Sequence, residues 1–116
     1  MGMFMGEGTP VLLQTITAFE GRGLLEPQAL GLSYRVPPGR CAGMLYFRAG
    51  STVSELVNIS ITRNGELLRY FPVAANSAMH VSLAIVEEHP AGALLEVWAA
   101  GAGSGMLILD IGYLEI

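Results

Sequence analysis

The side chains able to do acid–base or metal chemistry are few and scattered. Asp110 is the only aspartate, so an aspartate–histidine relay has a single possible orienting carboxylate. Its partner would be His80, between Met79 and Val81, or His89, in the run Glu87-Glu88-His89. Catalysis needs a nucleophile held against a base, a facing pair of carboxylates, or a metal, and no spacing in the chain displays one of these. Glu87, Glu88 and His89 carry ligand atoms, but adjacent residues rarely converge on one ion and no second ligand cluster stands at standard spacing. They read as a solvated turn that also keeps the neighbouring apolar strand soluble. Cys41 is the lone cysteine, so there is no intrachain disulfide and no two-cysteine metal or redox motif. Beside Ala42 and Gly43 it reads as a small core residue. The glycines from Gly101 to Gly105 precede a strand rather than a helix, which does not make a phosphate cradle. Asn58-Ile59-Ser60 matches a glycosylation sequon by chance, in mid-strand. No catalytic, cofactor-binding or metal-binding residue is assigned. A small enzyme or metal protein using His80, His89 or Asp110 is the weakest of three functional readings.

The aromatic residues offer different chemistry. Trp98, Tyr46 and Tyr70 could stack on sugar rings, which makes a carbohydrate-binding module the second reading. The ordinary role of such residues in a small sandwich is to fill a core or an interface.

The composition points to a third kind of use. Of 116 residues, 52% are hydrophobic and only 14% charged, with a net charge of −4. A typical globular chain has about 25% charged residues. One domain of this size has much surface, and so few charges cover it thinly. Part of the apolar surface is therefore expected to meet another copy of the chain, another protein, or a lipid. All six basic residues are arginine, and the negative balance leaves no electrostatic footprint for nucleic acid. The N-terminus lacks a basic start and an apolar stretch, so it does not read as a signal peptide. Ala91 to Leu109 is long enough to cross a bilayer, with Glu96 its only charge. Gly101, Gly103 and Gly105 interrupt it, and a two-stranded hairpin explains the same residues better. No membrane span is expected, and the compartment is left open.

The elements that must position these residues follow a period of two, broken every eight to twelve residues, the rhythm of a sandwich or barrel. Residues 1–9 read as a Gly/Met arm that orders only against a partner, and residues 10–116 as one domain. Strands are expected over Val11 to Glu20, Leu30 to Val36, Arg40 to Arg48, the two arms around Asn64-Gly65, Met79 to Val86, Ala93 to Ala100 and Met106 to Ile116. A loop is expected over Gly21 to Gln28 and a turn over Gly50 to Ser54. Asn64-Gly65 suits a type I′ turn, which sets Arg63 opposite Glu66, Ile61 opposite Leu68 and Ile59 opposite Tyr70. In the last strand Leu107, Leu109, Ile111 and Tyr113 share one face and Met106, Ile108, Leu114 and Ile116 the other. A strand apolar on both faces is central in a thick packing or lies at a subunit contact. The fold class is all-β: a small jelly-roll-type β-sandwich of about eight antiparallel strands.

Tyr34-Arg35-Val36-Pro37-Pro38-Gly39 leads into Met44-Leu45-Tyr46-Phe47, followed by Asn64-Gly65 and by Ser104-Gly105 before Met106 to Leu109. This order resembles the trimeric jelly rolls of the tumour-necrosis-factor and complement-head superfamily over residues 34–109. The phenylalanine characteristic before the last Ser-Gly is absent here. The resemblance implies a threefold apolar contact and a ligand- or surface-binding role, and carries over no functional residue. Similar folds also build virion shells, fibres and decoration proteins. The leading reading is thus a non-catalytic structural or interaction protein. It would be a homo-oligomer, a trimer by this resemblance, working with neighbouring proteins in a virion or a phage decoration, capsid or tail-type assembly. Met106, Ile108, Leu114, Ile116, Met3, Phe4 and Met5 are its candidate interface residues.

Overall fold

The computed structural model describes residues 8–116, so Met3, Phe4 and Met5 lie outside the described residues. Eight strands follow in order: β1 Thr9–Glu20, β2 Gly23–Arg35, β3 Ala42–Ser51, β4 Val57–Arg63, β5 Glu66–Val73, β6 Ala78–Ser82, β7 Leu94–Gly101 and β8 Ser104–Glu115. They form two four-stranded antiparallel sheets, β1-β8-β3-β6 and β2-β7-β4-β5. The pairs β1 with β8, β2 with β7, β3 with β6 and β4 with β5 are nested. The chain is one long hairpin whose tip is the β4–β5 turn, rolled so that alternate pairs fall in opposite sheets. That is a jelly roll.

The alternation of side chains drives the rolling. Ile59 and Ile61 of β4, Leu95, Val97 and Ala99 of β7, and Leu107, Leu109, Ile111 and Tyr113 of β8 are all buried between the sheets. Phe47 of β3 and Phe71 of β5 stack across the core, with ring centroids 4.0 Å apart and planes 6° from parallel. No helix among the described residues is long and apolar enough to cross a membrane. Ala91 to Leu109 instead holds β7, a tight turn and the first half of β8.

The turn at Asn64 (φ 52°) and Gly65 (φ 85°) forms with the expected left-handed backbone. Beyond it the register differs from the sequence reading. Arg63 faces Glu66 and Thr62 faces Leu67, but a bulge at Leu68 then sets Ile61 against Arg69, Ser60 against Tyr70 and Ile59 against Phe71. One extra residue exchanges the two sides of the rest of β5. Phe71 therefore enters the core, and Tyr70 turns outward, 61% exposed. The exchange buries the ring without a hydroxyl and leaves the phenol in water.

Other boundaries also move. Gly21 to Gln28 is not a loop, because β2 begins at Gly23 and runs irregularly along β7. β3 extends through Ser51, held by β8 on one side and β6 on the other. β6 stops at Ser82, so Ile85 and Val86 fall in an exposed connection. His89 is not in a solvated turn: it is 3% exposed, and its backbone pairs with Ala42 in both directions. Cys41 is half-buried at the entry to β3, where its backbone pairs with Ile116, rather than in the core.

Candidate binding surfaces

Each sheet turns one face to the core and one outward, and the outward faces have different chemistry. On the β1-β8-β3-β6 sheet the register lays residues in cross-strand rows. Ile16, Ile108, Gly50 and Ala78 make one row; Gln14, Asp110, Arg48 and His80 the next; Leu12, Gly112, Tyr46 and Ser82 the third. The first row is aliphatic and continues toward Met106. Leu12, Ile16, Met106, Ile108 and Ile116 are all exposed, Ile16 by 71%, and Leu114 is half-buried on the same face.

The middle row is a self-contained polar network. Asp110 Oδ1 accepts hydrogen bonds from Tyr46 Oη at 3.0 Å and Gln14 Nε2 at 3.2 Å. Arg48 Nη1 lies 3.5 Å from Asp110 Oδ2. The Arg48 side chain is 58% exposed, so this ion pair contributes little to stability, about 0–1 kcal/mol. Desolvation raises the Tyr46 phenol above its ordinary range, and the Asp110 hydrogen bond adds to the rise. The Tyr46 ring lies flat over Gly112, where any side chain would collide with it. The glycine is thus a seat for the aromatic ring. A concavity of about 510 Å³ opens beside Tyr46, floored by Gly112 and bordered by Leu12, His80 and Leu114.

The outward face of β2-β7-β4-β5 carries a second concavity of about 390 Å³. Tyr70, Ser60 and Trp98 stand in one row across β5, β4 and β7, with the Ser60 hydroxyl between the two aromatic residues. Trp98 Nε1 donates to Thr62 Oγ1 at 3.0 Å, two residues along β4, which ties the indole down across the sheet. Asn58 and Thr62 flank Ser60 on the same face, and Leu24, Leu25 and Leu67 form the rim. Among the described residues, no charged side chain lines this groove.

The structure brings Trp98 and Tyr70 together and puts Tyr46 on the other sheet. It gathers Met106, Ile108, Leu114 and Ile116 on one face, as their spacing predicts. Sequence reasoning missed Leu12 and Ile16, which border β8 from β1. The alternation within Val11 to Glu20 was legible, but the pairing of the first strand with the last was not. The candidate catalytic groups do not converge. Arg48 separates His80 from Asp110, and His89 sits at one end of the sandwich. There Arg63 Nη1 lies 3.1 Å from His89 Nδ1, and the His89 ring is 6.3 Å from that of Tyr113. Burial lowers the His89 pKa, Arg63 lowers it further, and Glu87 opposes both. Nearby, the Tyr34 hydroxyl donates to Glu115 Oε2 at 2.5 Å. The Tyr113 hydroxyl is buried with no hydrogen-bond partner among the described residues. Burial raises both phenols well above their ordinary range.

No family model and no curated protein matches the chain. Solved structures do. The crystal structure of PirA superposes with a TM-score of 0.58 at 13% identity, covering 85% of this chain and 93% of that one. The native structure of a family 35 carbohydrate-binding module from Clostridium thermocellum superposes with a TM-score of 0.51 at 16% identity, covering 90% and 97%. The likeness is one of fold. It supports a jelly-roll sandwich and does not single out the tumour-necrosis-factor and complement-head superfamily.

Proposed function

We propose that the chain is a non-catalytic building block that associates with copies of itself through the outward face of the β1-β8-β3-β6 sheet. The observation that carries this reading is the aliphatic row Ile16–Ile108 with Met106 beside it, together with Leu12 and Ile116 across the polar row, all exposed in the single chain. Isolated exposed aliphatics are ordinary, but several gathered on one face of a sheet mark an interaction surface. The polar row beside it suits a self-contact: Gln14, Tyr46 and Arg48 already satisfy Asp110, so no uncompensated charge would be buried. Threefold packing, which the sequence resemblance implies, would close this face in a trimer. A block of this kind serves a larger particle, of which a virion or phage decoration, capsid or tail-type protein is an example. Light scattering on the wild-type chain and on Ile108→Glu tests the reading. The wild type is expected as an oligomer at low micromolar concentration and the variant as a folded monomer. A monomeric wild type contradicts the reading.

A second reading rests on the other face. Trp98 and Tyr70 flank Ser60 in an uncharged groove with Asn58 and Thr62, an arrangement suited to a neutral sugar. Aromatic faces would stack on its C–H surfaces, and hydroxyl and amide groups would meet its hydroxyls. The carbohydrate-binding module among the fold neighbours is consistent with this use of a jelly roll. Affinity electrophoresis in gels containing soluble polysaccharides tests it. Retardation of the wild type that is lost in Trp98→Ala supports a glycan site. No retardation with any polysaccharide removes it.

A further inference from the structure

The two sheets have four edge strands, β1, β6, β2 and β5, and three of them are guarded. Exposed edges template pairing with other chains, and proteins blunt them with charges, proline, bulges or shortness. β6 has only five residues. β5 carries Glu66, Arg69 and Pro72, with the bulge at Leu68. β2 carries Glu26 and Pro27, a positive φ at Gly31 and two register irregularities. β1 carries these only at its two ends, Pro10 and Glu20. From Val11 to Phe19, nine successive residues carry no charge, no proline and no glycine. Its register against β8 is unbroken over all twelve residues. Away from β8, the backbone groups of Val11–Phe19 meet no backbone partner among the described residues, and only the Ala18 carbonyl accepts a side-chain bond, from Thr17 Oγ1 at 3.2 Å.

We propose that this edge pairs antiparallel with β1 of a second copy, joining two four-stranded sheets into a continuous sheet of eight strands. The inference rests on the self-association reading and adds a second contact to it. A face contact that closes a ring stops growing, and a larger particle needs another contact to link the rings. The sequence favours a two-fold axis at Thr15, the midpoint of the uncharged run. Gln14 then faces the partner's Ile16, Leu13 faces Thr17, Val11 faces Phe19, and Glu20 falls opposite Pro10, so no like charges oppose each other. Thr15 would face its own copy. Because Thr15 points into the sandwich, a contact between outward faces cannot bring two Thr15 side chains together.

Single cysteines at positions 13 to 17, in a Cys41→Ser background, test the pairing under mild oxidation, with light scattering on the same samples. Thr15→Cys is expected to cross-link with itself, and Gln14→Cys to cross-link with Ile16→Cys only when the two are mixed. A self-cross-linking maximum at Leu13, Gln14, Ile16 or Thr17 would overturn the Thr15 axis. An oligomer with no cross-link at any of these positions overturns the edge pairing and leaves the face contact standing. A monomer with no cross-link overturns both. Hydrogen exchange of the unmodified chain gives a second readout. Alternate amides of Val11–Phe19 should lose protection on dilution, and protection independent of concentration, or an added extended peptide protecting them instead, contradicts the pairing with a second copy.

Discussion

The two outward faces come from strands of similar length with the same inside–outside alternation, yet they are opposite in character. The β1-β8-β3-β6 face is largely aliphatic, and Gln14, Tyr46 and Arg48 gather around Asp110 in its polar row. The β2-β7-β4-β5 face is aromatic and hydroxyl-rich, with a bulge in β5, two irregularities in β2, and an uncharged groove. The difference teaches that inward positions of a sandwich are constrained alike by packing. Outward positions are free to differ with use, and under the proposed readings one face meets a copy of the chain and the other a polar small ligand.

The comparison can be broken at its shared foundation. Both faces hang on the Phe47–Phe71 stack, which bridges the sheets. Phe71→Ala should cost about 3–5 kcal/mol, read by urea unfolding, and should weaken both surfaces together. Loss of one surface alone would mean that the sheets are independently held. The next largest effect separates the faces. Ile108→Glu should abolish self-association while changing the stability of the single chain by only about 0.5 kcal/mol. Trp98→Ala should leave the oligomer intact and remove polysaccharide retardation. If either variant disturbs the other face's readout, the two surfaces are coupled rather than separate.

A smaller effect tests the end of the sandwich that belongs to neither face. His89 is held below its ordinary pKa by burial and by Arg63. An unfolded histidine titrates near about 6.5. As the pH falls below that value, the unfolded chain takes up the proton before the folded one does. The His89 contribution to stability is therefore complete above about pH 6.5 and declines as the pH drops toward the lower folded pKa. Melting temperatures of the wild type and His89→Gln should converge across that acidic interval. A constant gap would show that His89 stays in one protonation state.

Much of the fold was legible because it is written in alternation. The eight-strand count, the Asn64-Gly65 turn and the buried face of β8 follow from residue type at every second position. What was not legible depends on partners distant in sequence. Nothing local to Val11–Glu20 says that its neighbour is the last strand, so Leu12 and Ile16 were not joined to Ile108. The bulge at Leu68 was hidden for a similar reason. Both registers of the hairpin place apolar residues in pairs, and the Phe47 ring on the facing sheet, with the cost of burying a phenol, favours placing Phe71 rather than Tyr70 inside. His89 was misjudged because its acidic neighbours suggested water, whereas the strand end at Ala42 and the Arg63 side chain enclose it.

The central claim is that a single chain of 12.3 kDa exposes a face that further copies cover. Multi-angle light scattering across a dilution series, from high to low micromolar chain, tests it most directly. The account predicts a mass that is a whole multiple of the single chain and that collapses to one chain in Ile108→Glu. A wild-type mass of one chain at every concentration would contradict it.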